Sequence, residues 1–161
     1  MRIAIVAIGR LSRGPERDLV ADYVERATAS GRSLGLGPVD LIEVESKKPG
    51  KLAEGDVLAA ALESQGGATL IACDEHGRPY TSRAFAGRIG ALRDTGVRRL
   101  VFMVGGADGL APSLLDTAAE TLCFGVQTWP HALARVMLAE QIYRATTILA
   151  GGPYHLSLIH I

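Results

Sequence analysis

The chain has 161 residues, 48% hydrophobic and 21% charged, which suits one ordinary domain with a true core and is too apolar for a disordered chain. Its formal charge is zero, 17 basic residues against 17 acidic, so bulk electrostatics lend no support to a nucleic-acid partner. The two cysteines, Cys73 and Cys123, each lie inside an apolar run; this suits reduced thiols in a cytoplasmic protein and speaks against a disulfide framework or a zinc site.

Taken in chain order, Arg2–Ile8 is an apolar run leading straight into Gly9 and Arg10 with no small-residue cleavage site behind it, so it reads as a buried strand and not a signal peptide. No run approaches the roughly 18 apolar residues of a membrane span. Residues 16–29 read as a helix with Leu19, Val20, Tyr23, Val24 and Ala27 on one stripe and Pro15 at a plausible first position. A strand is predicted over 39–45 and a helix over 51–64, stopped by Gly66 and Gly67. A short strand follows at 69–73, then a turn at Glu75-His76-Gly77-Arg78, then a helix capped by Thr81 or Ser82 and reaching Arg93. The rest reads as a strand over Arg99–Val104, a short helix over 112–119, a strand over 121–125 and a final helix over 130–150. This alternation predicts an α/β fold: a parallel sheet with helices on both faces.

The final helix is apolar on every side, with Val136, Ala139 and Tyr143 on one, Ile142 and Leu149 on another, and Leu133, Met137 and Ile148 on a third. Such a helix must be covered all round. One sheet in so small a chain covers only part of it, so a homodimer built on this helix is expected.

No Walker A loop and no Gly-x-Gly-x-x-Gly fingerprint occurs, and no histidines are spaced for zinc, so no metal is expected. What remains gathers at the carboxyl ends of the later strands, where open α/β sheets bind ligands. Gly105-Gly106-Ala107-Asp108-Gly109 follows a strand directly; read plainly it is a left-handed turn, read functionally a place where a ligand meets backbone. Phe124-Gly125-Val126-Gln127-Thr128-Trp129-Pro130-His131 enters the last helix, and its backbone groups are suited to an adenine edge with Val126 and Trp129 as apolar walls. Taken alone, Trp129 is as well explained as a core or interface anchor. His131, Arg135, Glu140, Tyr143 and Arg144 lie on one apolar helix, where charge is costly unless paired or used, and Glu140 with Arg144 has the spacing of a structural ion pair. Gly151-Gly152-Pro153-Tyr154-His155 is either a frayed end or a hinge carrying an aromatic ring and an imidazole. Two local basic clusters, Arg10 with Arg13 and Arg17, and Lys47 with Lys48 and Lys51, are solvated loops or phosphate contacts.

In combination, Val104-Gly105-Gly106-Ala107-Asp108-Gly109-Leu110, Trp129-Pro130-His131 with Arg135-Val136, Glu140-Gln141-Ile142-Tyr143-Arg144-Ala145 and Pro153-Tyr154-His155 resemble the ribosomal RNA large-subunit methyltransferase H family of small bacterial SPOUT-class enzymes. The resemblance spans nearly the whole chain. It implies S-adenosylmethionine-dependent methylation of N3 of a pseudouridine in 23S rRNA on the assembled ribosome, by a homodimer whose C-terminal part forms a trefoil knot. A knot is something general folding rules would never suggest. Matched position by position, the resemblance implies donor contacts at Cys73, Gly105, Phe124, Gly125, Val126, Gln127, Thr128 and Trp129. It puts Arg144, Tyr154 and His155 around the target base, with His131, Arg135 and Glu140 shaping the site.

The expected organisation is a single domain over 1–155. The family normally ends just after the Tyr-His pair, whereas here residues 156–161 form an atypical apolar tail. Two other readings stand beside the methyltransferase: a non-catalytic ribosome-binding or assembly factor of the same fold, and a small α/β module holding another nucleotide-like ligand at the Gly105 loop.

Overall fold

In the computed structural model, which describes residues 1–48 and 50–156, β1 (Arg2–Ile8) is buried from its second residue onward, and its alternate side chains feed two separate cores. Ile3, Ile5 and Ala7 enter one cluster with Val20, Phe85, Leu138 and Ile142; Ala4, Val6 and Ile8 enter the other with Leu58, Leu110 and Leu114. An interior strand of a parallel sheet has no wet face, which is why the sequence shows an unbroken apolar run here. β4 (Arg99–Val104) divides its side chains in the same way. With β2 (Val39–Val44), β3 (Thr69–Pro79) and β5 (Glu120–Cys123) they form one five-stranded sheet in the order β2-β1-β4-β3-β5, every pairing parallel.

The larger cluster lies under α1 (Pro15–Gly31), α3 (Ser82–Asp94) and α5 (His131–Leu149), while α2 (Lys51–Glu63) and α4 (Pro112–Leu115) cover the opposite face. Pro15 opens α1, where its missing N–H leaves nothing unpaired. Thr81 caps α3, its Oγ1 accepting from the Ala84 amide at 3.1 Å; Ser82, the other candidate, instead donates to Gln141 Oε1 at 2.8 Å and ties α3 to α5.

Two sequence expectations change. The turn at 75–78 is an excursion inside β3, because Cys73 and Arg78 both pair with Leu122, and the strand resumes to Pro79. A Cβ on Gly77 would stand 2.6 Å from the Leu122 carbonyl carbon, so only glycine fits that return. The helix expected over 112–119 closes at Leu115. Within its own chain α5 packs against α1, α3 and the sheet, burying Leu138, Ala139, Ile142 and Ala145, while Val136, Met137, Ile148 and Leu149 are only partly buried. Leu133 in its first turn, with Trp129 just before it and Leu19 on α1, stays exposed. Of the atypical tail, Leu156 ends a short 3-10 turn and is exposed; residues 157–161 lie outside the described residues.

Candidate functional site

The carboxyl ends of β3, β4 and β5 open into a cavity of about 450 Å³. Its floor is the turn after β4, in which the Gly109 amide donates back to the Gly106 carbonyl at 3.1 Å. A Cβ on Gly105 would lie 2.5 Å from the Gly109 carbonyl carbon, so this tight return, set against the cavity, requires glycine. Cys73, at the point where β3 leaves the sheet, lines one side, and burial pushes its thiol up to about 12, with Asp74 adding to the shift. The segment after β5 closes the other side with Phe124, Gly125, Gln127, Thr128 and Trp129, and His131 follows in the first turn of α5. Trp129 Nε1 donates to the Phe124 carbonyl at 3.2 Å, which folds the segment back on itself. Val126, expected as an apolar wall, is instead fully exposed and outside the cavity lining, because the chain turns outward past Gly125 at φ 98°.

The residues expected around a target base form a second group. Arg144 Nε donates to Glu140 Oε1 at 2.9 Å, Arg144 Nη2 reaches the same oxygen, and the Tyr154 hydroxyl donates to it at 3.1 Å. The Arg144 guanidinium lies 4.7 Å from the centre of the Tyr154 ring. The ion pair predicted from the spacing is therefore real, yet it leaves something over: Arg144 Nη1 and His155 Nδ1 are buried atoms with no hydrogen-bond partner among the described residues. Burial and the nearby Arg83 and Arg144 hold the His155 imidazole below its ordinary range, with Glu140 opposing them. Burial, with Tyr23 and Glu140 beside it, raises the Tyr154 phenol. Glu140 faces a separate apolar cavity of about 500 Å³ between α1, α3 and α5, whose wall shares Leu122, Cys123, Phe124 and Gly125 with the first; Arg144, Tyr154 and His155 line neither.

Arg135 stands apart from both groups. It is fully buried beneath the ends of β1 and β2, donating to the Gly9 carbonyl at 2.7 Å, to Glu43 Oε1 at 2.9 Å and to the Ile8 carbonyl. Glu43 carries no sequence signal of this role, since it lies 92 residues away on an ordinary-looking strand. Lys51, read from sequence as a surface cation, lines the strand-end cavity together with the Asp74-Glu75-His76 excursion.

A parallel sheet with a cavity at its strand ends, a glycine turn for a floor and a backbone-rich segment for a wall defines an α/β domain whose cavity lies where open sheets of this kind bind ligands. The family described as "Predicted SPOUT methyltransferase" matches residues 1–155. Proteins named ribosomal RNA large subunit methyltransferase H from Phenylobacterium zucineum (strain HLK1) and Caulobacter sp. (strain K31) are 66% and 63% identical over 155 residues, covering 96% of this chain and 99% of each relative. A probable methyltransferase from Bordetella pertussis Tohama I, 19% identical, shares the fold with a TM-score of 0.53 over 90% of this chain and 96% of that one. The chain belongs to the SPOUT methyltransferase family.

Proposed function

We propose that this protein is a homodimeric, S-adenosylmethionine-dependent methyltransferase of 23S rRNA that modifies N3 of a pseudouridine on the assembled ribosome. The observation that carries the reading is the strand-end cavity, where Cys73, Gly105 and five of the six residues 124–129 come together in the lining. The names of the relatives support the rRNA substrate. The donor fits: its size suits a cavity of about 450 Å³, and the lining offers backbone groups for a purine edge beside apolar surface from Phe124 and Trp129. When bound, S-adenosylmethionine supplies a sulfonium methyl that is already electrophilic.

The work left to the chain is positioning, exclusion of water and management of one proton. Phe124, Gly125, Gln127, Thr128 and Trp129 hold the adenosine portion, and the turn at Gly105 lets it approach backbone. Arg144 Nη1, a buried donor without a partner among the described residues, favours the anion formed at N3 of the uracil-like ring. His155, disposed toward its neutral form, accepts the N3 proton at Nδ1. Glu140 holds Arg144 and Tyr154 in place.

In this reading the complete site joins the cavity of one protomer to the cluster of its partner, which accords with Arg144, Tyr154 and His155 lying outside the lining of the donor cavity of their own chain. Leu19, Trp129 and Leu133 supply apolar contact for that pairing. The segment from β4 to α5 is taken to form the knot, the domain to span 1–155, and the basic residues Arg10, Arg13 and Arg17, with Lys47 and Lys48, to grip rRNA phosphates.

Calorimetry with S-adenosylmethionine and methyl transfer to ribosomes test the reading. Binding of the donor followed by transfer is expected; absence of binding at millimolar donor would overturn it. Donor binding and ribosome binding without transfer would leave a non-catalytic factor of the same fold.

A further inference from the structure

A guanidinium with no exposure at all is the most expensive side chain in this core, and Arg135 is in that position. Burial lowers its pKa, with Glu43 acting in the opposite sense, and its Nε has no partner among the described residues. Its contacts converge on one segment. Ile8 and Gly9, whose carbonyls it holds, are the last residue of β1 and the first beyond it, and Glu43 Oε1, which it also binds, accepts the Leu11 amide at 2.9 Å. The loop of residues 9–14 is thus pinned at Gly9 and Leu11, with Leu11 buried, while Arg10 and Arg13 project into solvent. Arg10 has only a loose, exposed contact with Glu45 at 3.9 Å.

The same clamp abuts the donor cavity. Ala134, adjacent to Arg135 on α5, and His131 lie in the cavity lining, and Ile8 Cγ2 is 3.2 Å from where a Cβ on Gly106 would stand. A buried ion pair is a poor source of stability, since apolar residues of equal volume commonly do as well, but it fixes geometry because each lost partner leaves a buried charge.

We propose that Arg135 and Glu43 are a positioning pair that holds the loop of residues 9–14 as a rigid, cationic grip for RNA phosphates, in fixed relation to the donor cavity. The inference rests on the rRNA methyltransferase reading. Arg135 touches neither RNA nor donor; it acts through the Gly9 and Leu11 anchors.

The test uses the full chain with Glu43→Gln and Arg135→Lys, read by ribosome affinity in co-sedimentation, donor affinity in calorimetry, the unfolding midpoint, and kcat against KM for methyl transfer. Expected is a rise of about tenfold in ribosome Kd and KM, with kcat and donor affinity within about twofold. In an Arg10→Ala/Arg13→Ala background, Glu43→Gln should add less than about twofold, since the grip it positions is already gone. An unchanged ribosome Kd, a full penalty retained in the loop-variant background, or a parallel loss of donor affinity and kcat would each overturn the proposal. Should Arg135→Lys fail to fold, Glu43→Gln, which keeps an acceptor oxygen for both the guanidinium and the Leu11 amide, decides alone. If the parent binds ribosomes but transfers no methyl, the catalytic reading falls and the clamp is judged on ribosome Kd; if the parent binds no ribosome, both fall.

Discussion

Arg144 shows how little of a residue's role is visible from charge alone. Its bond to Glu140 satisfies one edge of the guanidinium, and a surface pair of that spacing would be worth only about 0.3–0.5 kcal/mol. What sets it apart is the other edge, where Nη1 is buried and has no partner among the described residues. Replacing it with alanine is expected to lower kcat for methyl transfer by about a hundredfold or more while leaving donor affinity within about twofold; equal activity in variant and parent would remove it from this role. His155 gives a pH prediction with a definite sign. Burial and the neighbouring Arg83 and Arg144 lower its folded pKa, so the folded protein binds fewer protons than the unfolded chain in the window from the ordinary imidazole value of about 6.5 down to the folded value. Its contribution to stability is therefore fully present above about pH 6.5 and is lost as pH falls through that window. In catalysis the acid limb of kcat should lie below pH 6.5 and vanish in His155→Ala; a limb above about pH 7 would exclude His155 as acceptor.

At the scale of elements, the helices were the most readable part of the sequence, because their signals are local. Thr81 and Pro15 do at their helix starts what such residues do in any chain. Thr81→Ala is expected to cost about 1 kcal/mol of stability, measured by denaturant unfolding, through the lost bond to the Ala84 amide. The excursion in β3 was unreadable for the opposite reason. Whether 75–78 ends a strand or interrupts it depends on Leu122, which pairs on both sides of the gap and lies some forty residues on. Gly77→Val should destabilise the protein by about 1–3 kcal/mol and weaken donor binding as well, because the displaced segment carries Asp74 to His76 in the cavity lining. A variant equal to the parent in both measurements would show that the return past Leu122 is not tight.

At the scale of the molecule, the neutral net charge has to be reconciled with an RNA substrate. In the proposed reading a few placed cations on exposed loops meet a composite ribosomal surface, and each phosphate contact made by them would carry its own salt dependence. Ribosome affinity should fall as salt rises, and the slope of log Kd against log salt should shrink by about 0.7–0.9 for each of Arg10 and Arg13 replaced by alanine. An affinity indifferent to salt would remove the basic loops from the interface. The proposed dimer belongs to this scale too. Sedimentation should give about twice the chain mass of 17.0 kDa, and Leu133→Asp should yield folded monomers without methyl transfer. Active monomers would show that one chain completes its own site.

The sequence by itself determined the α/β class, the buried strands, the glycine turn after β4 and the residues of the cavity segment, because each is written in neighbouring residues as an apolar period, a cap or a glycine. Only the tertiary structure decided that the cavity residues and the Glu140-Arg144-Tyr154-His155 cluster occupy different places in one chain, that Val126 faces solvent, and that Arg135 belongs with Glu43 beneath the first loop. These facts depend on where strands far apart in the chain pair and on which side of a helix meets them. No local pattern encodes that, since burial of a charge is settled by the partners that folding brings to it.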